Sequence, residues 1–301
     1  MNFSDRIQVT EVGPRDGFQN LKAFIPTEVK QSIIDTMAEV GVKTMEITSF
    51  VHPKAIPQMA DAARIAAATL EKHPHLKAYA LVPNLTGAHN AYTAGVRDVN
   101  YVISVSAAHN RANVNRTKEE SLEDLKKIGE ELPELHIKLS VATAFGCPFE
   151  GAVAEKDVFD LMEAALKRGV TEFALCDTIG VANPKQTGLL SKHALQAFPN
   201  TVIALHMHNT RGMGLANALA GIDAGLYIFE TSVGGLGGCP FAPGAAGNTA
   251  TEDLLNMAHA MGIKTGIDFE AYLRAVEIVK EKIDENLSSN MARACKYEHV
   301  F

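Results

Sequence analysis

Short runs of β-branched and apolar residues alternate along the chain with longer stretches in which apolar positions recur at i, i+3 and i+4. That alternation is the trace of repeated βα units around a parallel sheet. Eight runs read as strands: Ile7–Val12, Thr44–Thr48, Lys77–Leu81, Asp98–Ser104, Ile137–Ala144, Glu172–Leu175, Val202–His206 and Ile228–Thr231. Helical spacing marks Pro26–Val40, Glu119–Glu131 and Glu155–Arg168 between them. Several helical stretches end on a glycine that leads straight into the next strand (Gly41, Gly95, Gly169 and Gly225), where glycine supplies a left-handed cap. Eight such units within about 250 residues predict an α/β fold, a closed (β/α)8 TIM barrel, because open doubly wound sheets commonly have five or six strands.

No linker or shift in composition interrupts the pattern, so a single catalytic domain is expected over residues 1–301, with the barrel at about 5–262 and a short C-terminal helical extension at about 263–301. After the eighth strand come a glycine-rich loop, Gly234–Gly247, a helix over Thr251–Met261, and a last amphipathic segment, Phe269–Leu287. That tail is expected to pack across the barrel or on a neighbouring subunit, with a dimer or tetramer as the expected assembly.

Composition changes the picture mainly by exclusion. A net charge of -7 with no run of Lys and Arg argues against nucleic acid, which needs a concentrated basic face. A small anionic ligand remains compatible. No basic segment followed by an apolar one opens the chain, and no apolar run approaches the roughly 18 residues of a membrane span, so a cytoplasmic protein without a membrane partner is expected. The four cysteines, Cys147, Cys176, Cys239 and Cys295, lie far apart without metal-type or disulfide-type spacing and read as reduced thiols.

In a TIM barrel the active site lies at the C-terminal ends of the strands. The polar residues follow that rule: Arg15 and Asp16 come after the first strand, Glu46 lies in the second, Asp177 and Thr178 follow the sixth, His206 and His208 close the seventh, and Asn248 ends the glycine-rich loop. The i, i+2 spacing of His206 and His208 turns both imidazoles to one side of a strand, where they can share a metal. A carboxylate and an amide oxygen, with Asp16 and Asn248 as candidates, would complete a mixed N/O set suited to Mg2+ or Mn2+, and less to Zn2+. Turn chemistry alone accounts for Gly13-Pro14-Arg15-Asp16-Gly17 except for Arg15, a fixed cation able to stabilise an enolate oxygen. The glycine-rich loop reads either as a plain connection or as a lid, and Cys239 within it as a proton donor or acceptor. Cys147 and Cys176 read as small buried hydrophobes.

At this point the sequence resembles the HMG-CoA lyase family. The resemblance is carried by Glu11 through Asn20, Thr48-Ser49-Phe50-Val51 with Pro57 through Asp61, Asp177-Thr178-Ile179-Gly180, His206-Met207-His208, and Gly234 through Asn248 with Ala250 through Leu254. It implies a divalent metal on Asp16, His206, His208 and Asn248, an acyl-CoA substrate, and no further organic cofactor. It also implies Asp16 or His206 as base, Arg15 stabilising the enolate, and Cys239 or a water returning the proton. Glu46 and Asp177 are expected to orient their neighbours, and Gln19, Lys54, Asn84, Asp177 and Thr178 to contact substrate.

Departures from the family pattern bear on the substrate. His52-Pro53-Lys54-Ala55 stands where Ser-Pro-Lys-Trp is usual, Ser106 through Arg111 lacks the usual Ser-Glu and aromatic, Ser140 stands where tyrosine is common, and Asn209-Thr210-Arg211-Gly212 replaces Asp-Thr-Tyr-Gly. The expected reaction is metal-dependent cleavage of 3-hydroxy-3-methylglutaryl-CoA to acetyl-CoA and acetoacetate. Cleavage of citramalyl-CoA to acetyl-CoA and pyruvate is the alternative. A condensing synthase is a further reading, disfavoured because only about 40 residues follow the last barrel helix. A non-catalytic binding barrel is disfavoured by retention of the candidate ligands and Arg15.

Overall fold

The computed structural model describes residues 3–238, 247–284 and 286–294. Eight parallel strands, β1 (Gln8–Glu11), β2 (Thr44–Ser49), β3 (Lys77–Leu81), β4 (Asp98–Ser104), β5 (His136–Ala142), β6 (Glu172–Asp177), β7 (Val202–Met207) and β8 (Ile228–Thr231), pair in sequence order, and β8 closes on β1. The helices are α1 (Thr27–Glu39), α2 (Ala62–Lys72), α3 (Leu85–Thr93), α4 (Ala107–Val114), α5 (Lys118–Glu131), α6 (Glu155–Leu166), α7 (Pro184–Ala197), α8 (Gly214–Asp223), α9 (Thr251–Ala260), α10 (Phe269–Lys282) and α11 (Asn290–Ala294). The expected closed barrel is what the chain forms. Gly41, Gly95, Gly169 and Gly225 all take positive φ before their strands, so the helix-to-strand punctuation in the sequence has its expected physical cause.

Strand alternation divides the side chains into two populations. Outward residues such as Met45, Ile47, Val99, Ile103, Leu139, Val141, Phe173, Leu205 and Phe229 are buried against the helix ring and make up the large core. Inside the barrel, only a small apolar cluster of Ala174, Cys176, Ala204 and Ile228 is found among the described residues. Apart from Leu81, Val102 and Ala142 near the mouth, much of the rest of the interior is polar and charged. Near the floor, Tyr79 donates to both oxygens of Glu172 at 2.8 Å, and Lys77 lies 3.1 Å from the same carboxylate. One layer higher, Lys138 pairs with Glu230 and rests 4.5 Å from the centre of the Tyr79 ring.

Several predicted boundaries shift by a few residues, two of them for evident local reasons. β5 stops at Ala142 instead of Ala144 because Thr143 takes φ 58°, a left-handed conformation that ends the strand. The last amphipathic segment, expected over Phe269–Leu287, is helical as far as Lys282. An Asp284 side-chain acceptor 2.9 Å from the Asn286 N–H turns the chain before α11. The tail packs on its own barrel, with α10 against α1 and α9.

A buried acid locks that tail to the catalytic end. Glu11 accepts from the Gly13 N–H at 2.7 Å, the Val233 N–H at 2.9 Å, Thr251 Oγ1 at 2.6 Å and Tyr272 Oη at 2.5 Å. Beside it, both oxygens of Glu252 accept from the Gly234 N–H at 3.0 and 3.1 Å. Burial pushes the Glu252 carboxyl up to about 8 from 4.5. A raised acid stabilises the fold fully below its unfolded value and loses that contribution as pH climbs towards 8. Glu252→Gln, which mimics the protonated form, is therefore expected to gain stability relative to the parent by up to ~1.4 kcal/mol per pH unit between about pH 5 and 8. Denaturant titrations of both proteins across that range provide the check; parallel pH curves would contradict it.

Candidate active site

The expected turn after β1 is wider than turn chemistry requires. Gly13–Gly17 forms one broad helical turn in which the Phe18 N–H reaches back to the Gly13 carbonyl. Such i to i+5 turns recur at functional sites. The turn swings Arg15 over the top of the barrel. Its Nε lies 2.7 Å from Glu46 Oε2, and its Nη1 lies 2.5 Å from Asp16 Oδ1. Glu46 is completely buried and also accepts from Asn100 Nδ2 at 2.8 Å, while Asn100 Oδ1 accepts from Ser140 Oγ at 2.9 Å. Burial opposes the charge on Arg15, but Asp16 and Glu46 outweigh it and raise its pKa.

Asp16, His206 and His208 bring one potential ligand atom each within 4.8 Å of one another, the one such group of three among the described residues. The His206 and His208 ring centres are 5.3 Å apart, as strand alternation predicts. Asn248 arrives because the returning loop pairs beside β7, with a bridge between His208 and Asn248 and a 3.0 Å bond from the Thr249 N–H to the Met207 carbonyl. Its Nδ2 donates to Asp16 Oδ2 at 2.6 Å and to the Leu236 carbonyl at 3.0 Å. Gly237 (φ 116°) is needed at this approach, since a Cβ there would overlap Asn248 Nδ2.

The donor set fits a divalent cation. Asn248 Oδ1 and His208 Nδ1 are both buried and unpaired, an expensive state unless a ligand satisfies them. Burial, then the neighbouring His206, pushes His208 down to about 4, keeping it neutral as a metal ligand must be. Burial alone would raise Asp16; Arg15, His206 and His208 reverse this and hold it below the usual carboxylate range. Together these residues form a candidate divalent-metal site.

Glu230 and Lys138, which sequence reading did not single out, support it from beneath. Glu230 Oε2 lies 3.0 Å from His206 Nδ1, and its other oxygen pairs with Lys138. Despite burial, Lys138 and then His206 keep Glu230 well below the usual carboxylate range. The available signal was its place one residue before the end of β8. Glu230→Gln is expected to weaken Mn2+ binding about 10- to 100-fold, as when a histidine ligand loses its orienting carboxylate. Calorimetric Mn2+ titration reads this directly, and unchanged affinity would show that His206 needs no such support.

A cavity of about 270 Å³ opens above these groups, lined among others by Arg15, Asp16, Gln19, Thr178, His206 and His208. Gln19 also reaches Asp16 Oδ1 at 3.3 Å, and Thr178 Oγ1 accepts from the Thr143 N–H at 2.8 Å. Three of the residues expected to contact substrate, Asn84, Lys54 and Asp177, do not line this cavity. Asn84 caps α3 by accepting from the Gly87 N–H at 2.9 Å. Lys54 is exposed on the loop after β2. Asp177 is buried, points outward from the strand and accepts from the Val181 and Ala182 N–H groups at 2.9 and 3.0 Å, so it shapes the loop after β6. Cys147 and Cys176 are buried free thiols, and Cys239 lies outside the described residues.

The barrel and this rim define an enzyme of the (β/α)8 class with its candidate metal centre at the C-terminal strand ends. The chain belongs to the HMGL-like family, which it matches over residues 6–279, and is a carbon–carbon lyase. It is 40% identical over 298 residues to the hydroxymethylglutaryl-CoA lyase YngG of Bacillus subtilis, covering 98% of this chain and 99% of that protein. It is 37% identical over 294 residues to the mitochondrial hydroxymethylglutaryl-CoA lyase of Mus musculus, covering 97% and 90% respectively. A solved HMG-CoA lyase from Acinetobacter baumannii, in complex with coenzyme A and 3-methylmalate, superposes with a TM-score of 0.93 at 40% identity, covering 100% of this chain and 99% of that one. The resemblance noted in the sequence is thereby borne out. No helix of the described residues is long and apolar enough to cross a membrane.

Proposed function

We propose that the chain cleaves 3-hydroxy-3-methylglutaryl-CoA to acetyl-CoA and acetoacetate. The observation that carries this reading is the juxtaposition of Arg15 with the Asp16, His206 and His208 cluster on one cavity wall, in a chain similar over nearly its whole length to hydroxymethylglutaryl-CoA lyases. Asp16, His206, His208 and Asn248 would hold the cation, and their N/O set suits Mg2+ or Mn2+ before Zn2+. When bound, the cation supplies positive charge that acidifies the substrate's tertiary hydroxyl.

Asp16 or His206 takes the hydroxyl proton. The freed electron pair forms the ketone, the C2–C3 bond breaks, and its pair moves into the thioester enolate. Arg15 stabilises the enolate oxygen, while Glu46 fixes the guanidinium in place. Cys239 or a water then protonates C2 to give acetyl-CoA. The cavity is large enough for a small branched acyl group; the coenzyme moiety extends beyond it. In the same proposal the enzyme works as a cytoplasmic dimer or tetramer, which sedimentation would establish, and residues 1–301 form one catalytic domain.

Citramalyl-CoA is retained as a second substrate because the A. baumannii lyase holds 3-methylmalate, a short hydroxy diacid, together with coenzyme A. Acetyl-CoA release from both thioesters, with Mn2+ and then with EDTA, tests the proposal. Metal-dependent release from the methylglutaryl thioester supports it. Release only from citramalyl-CoA would transfer the activity to the second substrate, and release from neither, with metal bound, would refute both.

A further inference from the structure

Resting on the metal-site reading above, we propose that Lys138 is a positioning residue for the candidate ligand His206, acting through Glu230 to fix which imidazole nitrogen faces the metal site. The two histidines of the site are held differently. On His206, Nδ1 lies 3.0 Å from Glu230 Oε2, and Nε2 lies 4.0 Å from Asp16 Oδ2. An ionised carboxylate only accepts hydrogen bonds, so Nδ1 carries the hydrogen and the Nε2 lone pair is left for the Asp16 side. On His208, Nδ1 is buried without a hydrogen-bond partner. His206 is therefore oriented before a metal arrives, whereas no hydrogen bond at Nδ1 orients His208.

Register explains one contact of Glu230 and barrel closure the other. His206 and Glu230 are paired residues on the neighbouring strands β7 and β8. Lys138 comes from β5, three strands away around the barrel. Its ammonium pairs with the Glu230 oxygen that His206 leaves free. The ammonium also rests 4.5 Å from the centre of the Tyr79 ring, and that ring is pinned by bonds of 2.8 Å from its hydroxyl to both oxygens of Glu172. The side chains of Lys138 and Glu230 are 1% and 2% exposed. At that burial, removing one partner leaves the other charge uncompensated. The Tyr79 face thus holds the ammonium, the ammonium holds the carboxylate, and the carboxylate holds the imidazole. Lys77, 41% exposed nearer the floor, pairs with Glu172 and Asp98 instead.

The test is calorimetric Mn2+ titration, without substrate, of the parent, Lys138→Met, Glu230→Gln, their double variant and Lys77→Met. Lys138→Met is expected to weaken Mn2+ binding about 10- to 100-fold, the scale on which groups that orient a ligand act. The double variant is expected to bind no more weakly than Glu230→Gln, because a residue acting through Glu230 has nothing to add once that carboxylate is gone. Should Lys138→Met fold poorly, the double variant, which removes both buried charges together, still decides the question against Glu230→Gln. Lys77→Met removes the same charge nearer the floor and is expected to leave the affinity unchanged. Nitrogen NMR of the metal-free parent is expected to find the hydrogen of the neutral His206 ring on Nδ1. Unchanged affinity in Lys138→Met, an equal loss in Lys77→Met, losses that multiply in the double variant, or a hydrogen on His206 Nε2 each overturns the positioning role and leaves the metal-site reading intact. A parent that binds no Mn2+ overturns both.

Discussion

Arg15→Lys is expected to lower kcat by about 10²- to 10³-fold with little change in KM and with Mn2+ binding retained. Removal of one donor aimed at a developing oxyanion costs that much. The guanidinium spans two carboxylates at once, lying 2.7 Å from Glu46 through Nε and 2.5 Å from Asp16 through Nη1. A lysine ammonium is a point charge without that fork, so it cannot keep both contacts and face the enolate oxygen. Arg15→Gln is expected to do more harm, because it also leaves the fully buried Glu46 carboxylate without a cation; breaking a buried pair from one side costs about 3–5 kcal/mol. Steady-state kinetics with a denaturant titration of each variant separates the two effects. A lysine variant with unchanged kcat would mean that charge alone is required at this position.

Asp16→Ala is expected to abolish Mn2+ binding at millimolar concentrations and to reduce cleavage by about 10³-fold or more, since metal assistance contributes several kcal/mol of charge stabilisation. Asp16 is where the cluster converges: Arg15 and Asn248 donate to it at 2.5 and 2.6 Å, Gln19 reaches it at 3.3 Å, and His206 Nε2 lies 4.0 Å away. Without the carboxylate, the two imidazoles and an amide remain beside a guanidinium paired only with Glu46, so the cluster has no anionic ligand to hold a cation. Calorimetric titration of Mn2+ and the acetyl-CoA assay check both halves. A variant that binds Mn2+ like the parent would place the cation elsewhere.

Much of the candidate site was legible because strand ends announce themselves. Arg15, Asp16, Thr178, His206, His208 and Asn248 fall at or just beyond strand ends or on the loop that returns to them, with Glu46 inside the second strand beneath Arg15, and a barrel offers one rim where such positions meet. The inward polar residues on the strands were harder to read. Glu230, Lys138 and Asn100 sit in alternating strands, and alternation of apolar with polar ordinarily means one face to the core and one to water. Here the polar face lines the barrel interior, where each charge finds a partner on another strand: Lys138 on β5 meets Glu230 on β8, and Asn100 on β4 meets Glu46 on β2. Asn84 shows the opposite ambiguity, because a side chain that caps a helix, as Asn84 caps α3, and one that contacts a substrate look the same at the start of a helix.

Local periodicity, glycine punctuation and the position of polar residues at strand ends were thus enough to determine eight βα units, the barrel and the functional rim. Closure decided what only three dimensions contain. Pairing of β8 with β1 brings residue 16 to residues 206 and 248, and lets Glu11 bind Tyr272 from the far end of the chain. Such contacts depend on strand order and register, which periodicity within a segment does not encode. The buried charges of the interior are stable only because closure supplies their counter-charges.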